Sequence, residues 1–363
     1  MSTSLITALL VAGSTLVLPA PTGADPVGTV SMHLVDRSRR DPLVRSVRFR
    51  ELMVSVWYPA QASDRPLAPH MSPKAAADWD EHSAPGLGIK PGAVNWAATA
   101  THARSGAPAT GRYPVIVFAS GDGGPRTLGT ALVEDLASRG YVVVTVDHTY
   151  EADQVEFPGG RVVRAAPLPA KLTPKVIAAL LKKHAKARVA DLRYVLDQLP
   201  SLGIPMDLTR VGLLGQSIGG AAAAQAAHDD PRVDAAVNLD GGYLGPVART
   251  GVTKPFLQVS SDREPDPSWR TFWAASKGWK RELRFKGAAH GSFTDLQALL
   301  PQVRDVPGVR ELIGTIDPAR SVAAQRAYVG AFFDLHLKAR RTPLFDHPDP
   351  RFPEVVLRGQ KRA

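Results

Sequence analysis

The chain has 363 residues, 44% of them hydrophobic, enough to bury the core of one large α/β domain or two smaller ones. It contains no cysteine, which excludes disulfides, thiolate metal sites and a cysteine nucleophile. A formal net charge of +10 favours anionic surfaces such as a membrane or an acidic polymer. The cations are scattered except in one helix and form no nucleic-acid motif, so the basic surface reads as solvated.

At the N-terminus, Leu5 to Leu18 is mostly apolar and too short to span a bilayer. With Ser14 or Ala24 as the end of a small-residue cleavage site, residues 1–24 read as a signal peptide, although Met1-Ser2-Thr3-Ser4 lacks the usual positive charge. Secretion is the expectation. The alternative is a cytoplasmic protein whose apolar start packs on the domain. Residues 25–363 read as a single domain, with no internal repeat and no linker.

Thr29–Val35 and Glu51–Tyr58 predict two antiparallel strands. Residues 59–111, rich in Pro, Ala, Gly and Ser, predict a long loop with one short helix starting at Ser72-Pro73, and Trp79 or Trp96 is expected to help wall a site. From Tyr113 the pattern becomes regular. Pro114–Phe118 and Tyr141–Asp147 are apolar runs of the kind buried on both faces of a parallel sheet, with a helix over Arg126–Arg139 between them. Val155–Val163 predicts a hairpin turning at Pro158-Gly159-Gly160.

Thr173-Pro174 starts a long amphipathic helix, with Val176, Ile177, Leu180, Val189, Leu192, Val195, Leu196 and Leu199 on its apolar side. Lys171, Lys175, Lys182, Lys183, Lys186 and Arg188 give its first half a basic face, read as solvated in preference to a contact with anionic lipid. Strands follow at Val233–Leu239, Pro255–Val259 and Arg281–Lys286, with helices at Trp269–Ser276 and Pro318–Arg340. Strands alternating with helices predict an α/β fold: a mostly parallel sheet with antiparallel N-terminal strands and helices on both faces.

The chemistry centres on Val211–Gly220. An apolar run ends in Gly215-Gln216-Ser217-Ile218-Gly219, and an alanine-rich helix starts at once. This strand, sharp turn and helix form a nucleophile elbow, which exposes the serine hydroxyl and aims backbone N–H groups at developing negative charge. Ser217 could otherwise be an ordinary helix N-cap. A serine hydroxyl needs a base in reach, and the base needs an orienting acid.

In the α/β-hydrolase fold these partners follow the serine, acid first. His148 precedes the elbow and His228 lies on the helix after it. His290, in a glycine-flanked loop beyond the last parallel strand, is the base. Asp240, Asp262 and Glu264 all sit at strand ends after the elbow, and position alone does not separate them. The oxyanion hole takes the N–H of Ile218 and one from Ser120-Gly121-Asp122-Gly123-Gly124, with Asp122 the expected donor. That loop lacks the Gly-Lys-Ser/Thr ending of a phosphate cradle. No metal or cofactor site is expected.

Phe118–Gly123, Tyr141–Tyr150, Gly215–Gly220, Asn238-Leu239-Asp240-Gly241 and His290–Asp295 together resemble the bacterial branch of the platelet-activating-factor acetylhydrolase family, lipase-like α/β-hydrolases. The resemblance implies a serine esterase that removes short or oxidised acyl chains from phospholipid-like esters without a metal. It also implies that the acid follows the strand immediately after the elbow, which selects Asp240. Two residues depart from the family pattern. Asp122 stands where an apolar residue is usual, and a carboxylate there opposes an oxyanion unless it turns away. Gln216 stands where histidine is common.

Cutinases and polyester hydrolases are related folds with the acid on the later strand, which would select Asp262 or Glu264. A general carboxylesterase is the alternative function, and a catalytically silent fold binding lipid or protein is the second. No obligate protein partner is evident. Loops 59–111 and 150–175 are expected to set the substrate.

Overall fold

The computed structural model describes residues 13–358. Its strands, in chain order, are β1 (Val27–Asp36), β2 (Arg50–Pro59), β3 (Leu67–Pro69), β4 (Ala100–Ser105), β5 (Tyr113–Ala119), β6 (Val142–Asp147), β7 (Gln154–Phe157), β8 (Arg161–Arg164), β9 (Met206–Gln216), β10 (Ala235–Leu239), β11 (Phe256–Ser260), β12 (Lys280–Phe285) and β13 (Val355–Arg358). All but β7 and β8, which form the expected hairpin, join one sheet in the order β13-β12-β11-β10-β9-β5-β6-β2-β1-β4-β3. From β6 to β12 every pairing is parallel, and β1 and β2 run antiparallel as predicted.

The parallel strands are apolar because both faces are covered. Along β5, Val115 and Val117 pack into one core with Leu192, Val195 and Leu196 of the helix Pro174–Gln198. Ile116 and Phe118 point the other way, into a core with Leu132 and Leu136 of the helix Thr130–Ser138 and Phe332 and Phe333 of the C-terminal helix Pro318–Leu337. Alternate side chains thus feed opposite layers, and the strand ends carry the site residues above them.

Two expectations are corrected, and two elements emerge that the sequence did not signal. Residues 59–111 are not a loop with a single helix. Besides the helix Pro73–Asp78 they hold β3 and β4, which extend the sheet beyond β1. In β4 the inward residues are Thr101 and Ala103, too small and polar for alternation to show. The segment after His290 is a 3₁₀ turn (His290–Phe293) and a short helix (Leu296–Leu299). A last strand, β13, pairs antiparallel with β12. On the helix Pro174–Gln198 the basic face and the apolar stripe are both redrawn: Arg188 is fully buried, while Ile177 is 43% exposed.

Residues 1–12 of the expected signal segment lie outside the described residues. Beyond them Leu16 and Leu18 are buried, Ser14 bridges to Val94, and Thr22 bonds Asp135. No helix among the described residues is long and apolar enough to cross a membrane.

Candidate active site

β9 ends at Gln216, and Ser217 turns the chain into the helix Ile218–Asp229 with φ 56° and ψ −127°, a conformation a non-glycine residue adopts only under constraint. The constraint is visible. Ser217 N–H donates to Leu239 O at 2.8 Å. The flanking glycines permit the packing, since a Cβ on Gly215 would stand 2.2 Å from the Gly219 carbonyl, and one on Gly219 2.2 Å from Ala119 O.

Ser217 Oγ lies 2.9 Å from His290 Nε2. His290 Nδ1 lies 2.7 Å from Asp240 Oδ2. With Nδ1–H donated to a carboxylate, Nε2 keeps the lone pair that can accept the serine proton. Asp240 is fully buried, and its carboxylate also accepts from Ser261 N–H at 2.9 Å, from Ser261 Oγ–H and from Arg263 Nε at 3.2 Å. The His290 turn is pinned from behind by Ser292 Oγ–H on Ile313 O and Gln325 Nε2 on Ser292 O.

The other acids sit elsewhere. Asp262 pairs with Arg284 and accepts from Gly287 N–H at 2.9 Å, which holds its carboxyl below the usual range and ties down the loop before His290. Glu264 has no partner to place it against the histidine among the described residues. His228 is exposed beside Asp229. His148 is buried with Nδ1 3.0 Å from Asp191.

The glycine-rich loop after β5 lies against the elbow. A Cβ on Gly121 would stand 2.2 Å from Gln216 Oε1 and 3.3 Å from Ser217 Cβ. Gln216 Nε2 donates to His290 O at 3.4 Å, so this side chain sits between the loop and the histidine. The N–H groups of Asp122 and Ile218 have no protein acceptor among the described residues, as an oxyanion hole requires. The Asp122 carboxylate turns away, onto His184 Nδ1 at 2.9 Å. Burial pushes that carboxyl up, but the His184 hydrogen bond and the Arg188 and His184 charges outweigh it and hold it below the usual carboxylate range.

Asp122, Glu151 and His184 have ligand-type atoms within 4.8 Å of one another. Arg188 already bonds Glu151 Oε2 at 2.6 Å, and its charge disfavours a divalent cation there. The arrangement is an ion-pair network.

Ser217, His290, Gln216 and the loop 120–124 open on a cavity of about 360 Å³, walled by Trp79, Leu87, Phe118, Leu128, Leu296 and Leu312, with Asp153 the other acid on its rim. Trp79 therefore walls the cleft, and Trp96 packs edge-on behind it with ring centres 6.0 Å apart. A larger groove of about 500 Å³, between Lys186 and Pro246, contains none of these residues.

Sequence reasoning missed Arg188, which bonds the Ser120 and Gly121 carbonyls, and Asp295, which accepts from Thr130 and Ala131 N–H and meets His70 Nε2 at 3.0 Å. Arg188 had a signal. It continues the apolar stripe of Leu192, Val195 and Leu199 at helical spacing, where a solvated cation does not belong. Asp295 had none in local sequence.

The family model for platelet-activating factor acetylhydrolase, isoform II, matches residues 91–156. A probable 1-alkyl-2-acetylglycerophosphocholine esterase of Arthroderma benhamiae is 29% identical over 95% of this chain and 94% of its own length. The platelet-activating factor acetylhydrolase of Gallus gallus is 25% identical over 63% of each chain. The solved structure of a ferulic acid esterase from Streptomyces cinnamoneus superposes with a TM-score of 0.81, at 39% identity over 95% of this chain and 99% of that one.

Proposed function

We propose that this chain, an α/β-hydrolase esterase similar to the platelet-activating-factor acetylhydrolases of isoform II type, hydrolyses carboxylic esters through an acyl-enzyme, with Ser217, His290 and Asp240 carrying the reaction. The observation behind the proposal is the unbroken relay from Ser217 Oγ through His290 to Asp240. His290 Nε2 takes the serine proton as Oγ attacks the ester carbonyl. The Ile218 and Asp122 N–H groups hold the oxyanion. His290 returns the proton to the leaving alcohol, and a water repeats the sequence to release the acid.

The favoured substrates carry a short acyl chain or are phospholipid-like acetyl esters. The support is the 360 Å³ cleft, mostly apolar but small, and the relative from Arthroderma matched along nearly its full length. The 39% likeness to a ferulic acid esterase supports a second reading, a general carboxylesterase that also accepts aryl acyl groups. A hydrolysis profile on p-nitrophenyl esters from acetate to palmitate, beside a 2-acetyl phospholipid and methyl ferulate, separates them. A short-chain optimum with acetyl-phospholipid turnover is expected. Preference for methyl ferulate would select the second reading. Ser217→Ala should lose roughly 10⁴-fold or more in kcat, and near-native activity in it would remove the nucleophile assignment.

The substrate is also proposed to be met at an anionic lipid surface. Leu168, Leu172 and Ile177 are 62%, 48% and 43% exposed, interleaved with Lys171 and Lys175, on the segment whose helix reaches the cleft at His184. Co-flotation with phosphatidylglycerol vesicles and not with phosphatidylcholine vesicles is expected, and equal recovery with both would count against it.

A further inference from the structure

We propose that Arg188 is the positioning residue of the oxyanion hole: its buried guanidinium fixes the two successive peptide planes, 120–121 and 121–122, that set the direction of the Asp122 N–H toward the reacting carbonyl. The proposal rests on Ser217 as nucleophile and assigns a role to a residue outside the triad and the hole itself.

Sheet pairing of β5 ends at Ala119, so the glycine-rich turn beyond it has no ladder to hold it. Within the turn, Gly124 N–H donates to Gly121 O at 3.1 Å and Ser120 Oγ–H to Gly124 O. The first bond also engages the Gly121 carbonyl, but neither reaches the Ser120 carbonyl. Arg188 engages both. One terminal nitrogen donates to Ser120 O, and the other donates to Gly121 O at 3.1 Å. In a trans peptide the carbonyl of one residue and the N–H of the next point in opposite directions. Fixing the Ser120 carbonyl therefore turns the Gly121 N–H away from the guanidinium, and fixing the Gly121 carbonyl does the same for Asp122. The elbow packs against this turn at Gly121, beside Ser217 Cβ, and both share one cavity with His290.

The guanidinium is itself held. Arg188 Nε donates to Glu151 Oε2 at 2.6 Å, and both side chains are fully buried. Glu151 sits in the turn after β6, where its N–H donates to His148 O. One side chain thus links the ends of β5 and β6 to the helix above them. Lysine could not replace it, because a compact ammonium has no planar fork to span two carbonyls and a carboxylate. One turn earlier on the same helix, His184 draws the Asp122 carboxylate aside. The helix therefore aims the peptide dipoles with Arg188 and removes an opposing charge with His184.

The test compares Arg188→Lys, and the paired Arg188→Met/Glu151→Met variant that leaves no lone buried charge, with the parent. The readouts are kcat, KM, thermal unfolding and inhibition by a trifluoromethyl ketone, whose adduct with the serine carries an oxyanion. In variants still folded at the assay temperature, kcat is expected to fall about 10²–10³-fold, the scale of losing one oxyanion donor, with KM within roughly threefold. Affinity for the ketone should weaken by a similar factor. Arg50→Lys, a change at a second fully buried arginine paired with Asp41 and Asp191, should lower the melting temperature without that signature. A folded Arg188 variant with parental kcat and ketone affinity would overturn the proposal. So would losses in kcat and ketone affinity that track melting temperature alike in the Arg188 and Arg50 variants. Activity retained in Ser217→Ala would instead sink the nucleophile reading beneath it.

Discussion

Gly241 lies so close to Ser217 that a Cβ on it would stand 2.0 Å from the Ser217 carbonyl oxygen. The residue after the acid and the residue at the elbow are thus packed backbone to backbone, and Asp240 and Ser217 both take left-handed φ values, 60° and 56°. Nucleophile and acid form one mechanical unit across adjacent strands β9 and β10. Gly241→Ala should therefore push the elbow out of line with His290. A displacement of about 1 Å costs on the order of 10²-fold in rate, so kcat should fall at least that far, with a lower melting temperature. Steady-state kinetics on p-nitrophenyl acetate would check it, and parental kcat would show that the two turns move independently.

Asp240→Asn and Asp262→Asn should behave oppositely. An amide at 240 can donate to His290 Nδ1, which leaves Nε2 protonated and unable to take the serine proton. A loss of about 10⁴-fold in kcat is the expected scale for that wrong tautomer. Asp262 holds Arg284 and Gly287 N–H at a half-exposed site, so its loss should cost about 1 kcal/mol or less and leave kcat within roughly twofold. If activity survived at 240 and failed at 262, the acid assignment would be reversed.

The elements that were legible in the sequence are those whose signal is local. β5 is buried on both faces and reads as an unbroken apolar run, β6, β10 and β11 read as apolar runs broken once each, by Thr145, Asn238 and Gln258, and the elbow carries its own glycine punctuation. Ser217 was separable from the other serines by its glycine-flanked strand-to-helix turn, and His290 from the other histidines by chain order. Asp240 was not separable from Asp262 until the family resemblance was added, because both end strands and only three-dimensional approach to His290 distinguishes them. β3 and β13 were illegible because they are short edge strands, which need little apolar character, and β4, paired on both sides, was hidden by its small or polar inward residues Thr101 and Ala103. The Arg188 network was hidden differently: a buried arginine is written like an exposed one unless its helical stripe is followed.

The buried histidines predict an acid-labile fold. Burial, foremost, and the Arg188 charge push His148 down from 6.5 to about 4, and burial does the same to His336. Below pH 6.5 the unfolded chain binds a proton that the folded chain refuses, so stability falls as pH drops from about 6.5 to about 4. For His148 the full loss is on the order of 3 kcal/mol. Melting temperature should decline from pH 7 to pH 4.5, and His148→Gln should flatten the decline. A parent that melts alike at pH 7 and pH 4.5 would show that these rings are protonated within the fold.

Leu16 and Leu18 predict where an export cleavage can fall. Both are 1% exposed and pack in the apolar cluster of Trp79, Trp96, Leu128, Leu296 and Leu299, and three of these side chains also wall the cleft. Cleavage at Ala24 would remove both leucines, and each buried leucine lost costs about 2–5 kcal/mol. Cleavage near Ser14 would keep them. A secreted product should therefore start near residue 14, readable by N-terminal sequencing. A chain started at Asp25 should melt well below one started at Ser14 and lose chain-length selectivity as Trp79 and Leu128 slacken. If the chain started at Asp25 matched the other in melting temperature and ester profile, residues 14–24 would be a dispensable leader.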